Sequence, residues 1–187
     1  MLGTNRRVFA GGPLFGILLA CLFVGALLRP SVAEAQYKSQ QLGFEAGYQL
    51  IEDDFGLDMH SAIFGLRAGY KADDHWWYTA RAMVSFLGNQ LPADQTTVLF
   101  HLTPVDFRYY FLTDDFRPYL GGATAFHFLV NFEPSSIQWG FGPVGGIEIK
   151  LERDLFLGFE VSGMYMIAFD HDDSEILHAT TQLIFFL

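Results

Sequence analysis

One cysteine, Cys21, stands in the whole chain, inside an N-terminal apolar run, so no disulfide framework holds the fold together. Cations are scarce: 11 Lys and Arg stand against 21 Asp and Glu, for a formal charge of −10. Nucleic-acid partners, which need clustered Lys and Arg, are excluded on that ground. Charged residues of both signs make up only 17% of the sequence, and a water-soluble protein of this composition would have to hide far more apolar surface. Aromatic residues (17%) and glycine (19 residues) are plentiful instead. Few charges, many aromatics and frequent glycine suit a barrel with lipid outside and packed side chains inside. At 187 residues a single domain is expected.

Residues 155–169, LFLGFEVSGMYMIAF, carry the clearest pattern. Leu155, Leu157, Phe159, Val161, Gly163, Tyr165, Ile167 and Phe169 form one almost wholly apolar row. The other row holds Phe156, Gly158, Glu160, Ser162, Met164, Met166 and Ala168. A strand sends alternate side chains to opposite faces, so this segment has two unlike sides. It would run about 45 Å at about 3.3 Å per residue, longer than an ordinary globular strand and long enough for a tilted membrane strand. The expected fold is all-β: an eight-stranded antiparallel transmembrane up-and-down β-barrel following a cleaved signal peptide.

Arg6 and Arg7 precede an apolar run over 8–28, and Ala33-Glu34-Ala35 follows. A basic start, an apolar core and an A-x-A site predict a signal peptide over residues 1–35 and a barrel over 36–187. An uncleaved anchor over the same run, and a lipoprotein signal at Leu18-Leu19-Ala20-Cys21, are the alternatives. Downstream, period-2 alternation between turn residues predicts strands at about 42–50, 60–70, 76–87, 96–111, 117–130, 139–150, 155–169 and 176–187. Pro104 cannot donate to a ladder, so a bulge or face switch is expected there. The fifth strand has no clear facing, because Gly121, Gly122, Ala123 and Thr124 blur the alternation. Tight acidic turns at 72–74, 113–115 and 152–154 alternate with longer connections at 51–59, 88–95, 131–138 and 170–175. With both mature termini on one side, this places the tight turns in the periplasm and the longer loops outside the cell outer membrane. Tyr70, Trp76, Trp77, Tyr78, Tyr109, Tyr110, Phe116 and Tyr119 crowd the tight turns, where an interfacial aromatic girdle belongs.

Residues 104–111, PVDFRYYF, and 117–122, RPYLGG, resemble the small outer-membrane β-barrel proteins of the OmpW and OmpA-transmembrane type, most clearly over 104–165. The resemblance implies an envelope barrel with a structural or interaction role, or a minor permeation barrel for small or hydrophobic solutes. Outer-membrane lipid and lipopolysaccharide, the barrel-assembly machinery and an envelope protein are the partners that such a barrel implies. The family usually ends on an aromatic residue, whereas this chain reads Phe185-Phe186-Leu187. No peptidoglycan-binding domain is expected after the last strand.

The inward rows hold Glu45, Arg67, Arg81, Asp106, Arg108, Glu148, Lys150 and Glu160, four acids and four bases. An eight-stranded barrel is just wide enough for side chains to fill, and buried charges need partners, so an ion-pair network plugging the lumen is expected. The outer connections are acidic, and barrel closure makes the first and last of them neighbours. Asp53, Asp54, Asp170, Asp172 and Asp173 would there share a hard divalent cation through oxygen ligands, or simply form a solvated rim. Histidines 60, 75, 101, 127, 171 and 178 are scattered, and each reads as an interfacial or lumenal filler. His127 is followed by Phe128 and Leu129 rather than by a His-x-Ser serine, and His60-Ser61 lacks an evident acid partner, so no nucleophilic triad, no enzyme activity and no cofactor are expected.

Overall fold

Alternating apolar and small or polar side chains are accommodated when the chain extends and successive residues take opposite faces. In the computed structural model, all regular structure among the described residues is β-strand. The structure describes residues 39–53, 59–87, 97–130, 137–168 and 173–187. The strands are β1 (Gln40–Asp53), β2 (Met59–Lys71), β3 (Trp76–Leu87), β4 (Thr97–Tyr110), β5 (Phe116–Val130), β6 (Ile137–Glu152), β7 (Leu155–Ala168) and β8 (Ser174–Phe186). Each pairs antiparallel with its neighbour in sequence, and β8 returns to β1, Gln41 opposite Phe186 through Asp53 opposite Ser174. Closure leaves no open edge, which a membrane-spanning sheet requires. The segment 1–35 predicted as a signal lies outside the described residues.

Pro104 sits in a bulge. On β3 two steps, Thr79 to Arg81, match three on β4, Asp106 to Thr103; on the other side Leu102 faces Phe126 and Val105 faces Thr124. One extra residue is therefore taken up in β4 beside a proline that cannot donate. The inward row changes parity there: Leu99, His101 and Thr103 are buried before it, Asp106, Arg108 and Tyr110 after it. His101 and Asp106 are an odd number of residues apart, and the bulge is what turns both into the lumen.

The outer face is apolar. Phe44, Leu66, Leu120 and Val161 are each more than half exposed. The 14 residues of β7 span about 46 Å at about 3.3 Å per residue. Tilted by about 40°, that covers the roughly 30 Å of a bilayer's hydrocarbon core. The aromatics near the tight turns divide between two faces. Tyr70, Trp76, Tyr78 and Phe116 point outward, but Trp77, Tyr110 and Tyr119 are buried in the lumen, because alternation sends every second residue inward. In the first turn Asp73 Oδ1 accepts from the backbone N–H groups of His75 and Trp76, both at 2.8 Å. Beside it the Lys71 ammonium donates to Asp74 at 2.7 Å and holds that carboxyl below the usual range. This small stabilisation is present at neutral pH and is lost as pH falls through the depressed value.

Two glycines make room for large inward side chains. A Cβ on Gly43 would lie 2.8 Å from Arg67 Cγ, and one on Gly146 would lie 2.6 Å from the Tyr119 hydroxyl. Substituting either displaces a member of the lumenal network.

Candidate functional site

The lumen is filled in layers. At the end carrying the tight turns, Arg117 lies over four rings, with its guanidinium carbon 4.5 Å from the Tyr110 centroid, 4.8 Å from Phe186, 5.0 Å from Phe156 and 5.6 Å from Trp77. Above this floor is a network that takes side chains from every strand. Glu160 of β7 is its hub: Oε1 accepts from Arg81, and Oε2 accepts from the Tyr119 hydroxyl at 2.6 Å and from Gln182 Nε2 at 3.1 Å and is ion-paired with Arg108 Nη2 at 2.7 Å. Asp106 Oδ2 accepts from Arg108 Nε at 3.0 Å and Nη2 at 2.6 Å, and lies 3.4 Å from Arg81 Nε. Glu45 Oε2 accepts from Gln182 Nε2 at 3.1 Å and is 4.0 Å from Arg81 Nη1. Arg67 donates to Gln182 Oε1 and, at 3.3 Å, to Glu148 Oε1, which also accepts from the Tyr110 hydroxyl at 2.7 Å. Glu148 Oε2 is 3.5 Å from Arg117 Nη2.

Glu45, Arg67, Arg81, Asp106, Arg108, Glu148 and Glu160 thus meet in one place, all buried. Lys150 does not join them. It is the last β6 residue before the register shift at the turn, where a flexible stem reaches water, and it pairs at 2.9 Å with exposed Asp115. Arg117 is the fourth base instead, so four guanidinium groups still oppose four carboxylates. Sequence reading missed Arg117 because the facing of the fifth strand was open. Tyr110, Tyr119 and Gln182 were missed as well; their inward parity on adjacent strands was the available signal.

Toward the longer connections lies a second polar layer, where Gln49 Nε2 donates to Ser61 Oγ at 2.9 Å and to Ser85 Oγ at 2.6 Å. His60, beside Ser61, faces outward and stacks on Tyr48, so the two do not form a catalytic pair. His101 of β4, His127 of β5 and His178 of β8 converge here, all fully buried. Ring centroids are 4.2 Å apart for His101 and His127, and 4.7 Å for His101 and His178. His101 Nε2 bonds Thr103 Oγ1 at 2.8 Å, its Nδ1 meets His127 Nε2, and His178 Nδ1 lies 3.5 Å from Ser162 Oγ. Buried Ile51, Leu87, Leu99, Met166 and Ile176 cover this layer at the strand ends.

Of the carboxylates considered as a cation site, Asp54, Asp170 and Asp172 and the side chain of Asp53 lie outside the described residues. Asp173 accepts from the Tyr165 hydroxyl at 2.6 Å. Glu52 and Glu175, by contrast, are exposed and directly opposite each other across the β1–β8 seam.

No protein-family profile matches the sequence. No curated protein matches it at a significant level either. Solved structures do match the fold. Neisserial surface protein A is similar at a TM-score of 0.67 and 14% identity, over 82% of this chain and 100% of that one. The outer membrane protein OprG from Pseudomonas aeruginosa is similar at 0.54 and 13% identity, over 81% of this chain and 99% of that one. The chain therefore has the closed eight-stranded antiparallel fold of small outer-membrane β-barrels.

Proposed function

We propose that the protein is an integral barrel of the bacterial outer membrane with a structural or interaction role in the envelope, its lumen closed by ion pairs rather than conducting. The observation that carries this reading is the Glu160 network, which draws on all eight strands and crosses the whole interior beneath an apolar outer belt. Export through residues 1–35, periplasmic termini and contact of the outer belt with lipid and lipopolysaccharide complete the proposal, with the barrel-assembly machinery acting during insertion and an envelope protein as the docked partner. Carboxylates such as Glu52 and Glu175 suit the outer rim.

Purified protein in planar bilayers tests the closed lumen. No unitary conductance steps are expected at moderate voltage. Reproducible steps would replace this reading with the permeation barrel for small or hydrophobic solutes.

A further inference from the structure

Three histidines separated by 26 and 51 residues in sequence stand around one point in the lumen, with one ring nitrogen from each within 4.8 Å of the others. Among the described residues this is the group of ligand-type side chains so arranged. We propose that His101, His127 and His178 bind one borderline divalent transition-metal ion, of the class of Zn²⁺, Co²⁺, Ni²⁺ or Cu²⁺, inside the barrel.

Four observations lead there. The rings are fully buried and come from β4, β5 and β8, so barrel closure itself gathers them. Outer hydroxyls orient two of the rings, Thr103 for His101 and Ser162 for His178. When the Thr103 hydroxyl accepts from His101 Nε2, His101 Nδ1 carries a lone pair on the side facing His127. Ser162 beside His178 Nδ1 leaves Nε2 free to act as a donor atom. Such outer hydrogen bonds fix ring orientation and tautomer in metal sites. Third, His127 Nδ1 and His178 Nε2 make no hydrogen bond within the protein, although each ring is buried. Buried polar atoms are normally satisfied, and a metal bond would meet that need. Fourth, the spacing suits a small ion. Tetrahedral Zn²⁺ with bonds of about 2.0–2.1 Å holds its nitrogens about 3.3 Å apart, so the hydrogen-bonded His101–His127 pair would part to admit the ion while nitrogens up to 4.8 Å apart close in on it.

The donor set also selects the metal class. Imidazole suits zinc, copper and nickel, whereas Ca²⁺ and Mg²⁺ take oxygen ligands. Three protein nitrogens leave a fourth position for water. Glu160, one inward position from Ser162 on β7, is the neighbouring carboxylate on that strand.

The test uses the whole protein, extracted from membranes in detergent, treated with EDTA and dialysed. Titration with Co²⁺ should give visible d–d absorption that saturates at one equivalent, and Zn²⁺ should displace it. Thr103→Val, which keeps the ligands and removes the hydroxyl that orients His101, should weaken Zn²⁺ binding about 10–100-fold. His127→Ala with His178→Ala should abolish stoichiometric uptake, while His60→Ala on the outer face should leave it unchanged. Heat-modifiable gel mobility confirms that each variant is a folded barrel. No saturable Co²⁺ band in the unsubstituted protein overturns the proposal whatever the variants do, as does uptake that survives loss of the histidines in a folded barrel.

Discussion

Glu160→Ala is expected to lower the unfolding free energy of the barrel by about 3–5 kcal/mol, the cost of breaking a buried ion pair from one side. The carboxylate accepts from Arg81, Tyr119 and Gln182 and pairs with the Arg108 guanidinium at once, and all four are buried. Its loss leaves four guanidinium groups facing three carboxylates in a space without solvent. Guanidinium unfolding in micelles, followed by tryptophan fluorescence, measures the effect. The double variant Arg108→Met with Glu160→Leu restores three of each sign and fills the vacated volume with apolar groups, so more than half of the loss should return. A single variant within about 1 kcal/mol of the parent, the range of an exposed pair, would show that the lumen is wet and the charges screened.

Val161→Arg should cost about 2–4 kcal/mol in a lipid bilayer, the price of a cation at the hydrocarbon midplane. Val161 is the seventh of the 14 residues of β7, outward and 55% exposed. Leu151→Arg, at the strand end of β6 and 53% exposed, should cost only about 0–1 kcal/mol, since its charge sits near the interface. The pair is read by reversible unfolding from phospholipid vesicles. Equal effects at the two positions would contradict a lipid-facing belt, because exposure alone does not distinguish them.

Period-2 patterning made the eight strands legible, because a barrel strand shows two unlike faces along its whole length. The Pro104 bulge was legible from the missing donor, and with it the change of inward row. Lys150 shows where parity stops being informative: it keeps the inward phase, yet at a turn a long flexible side chain can leave the lumen. Arg117 was obscured by the small residues that follow it, whose faces look alike. The histidines were illegible for a different reason. His101 and His127 face each other across one ladder, and His178 approaches from the far wall, so their proximity follows only from closing the sheet.

The ring of Phe186 has one further consequence. It comes from the last rungs of β8 and packs against Trp77, Phe156 and the Arg117 guanidinium, while its backbone N–H bonds Asp154 and that of Leu187 bonds Gln40. Until that strand docks, the aromatic cage around Arg117 lacks a wall. Zipping the seam and trapping the cation are one event, so a half-assembled cylinder is left with an exposed charge at its base.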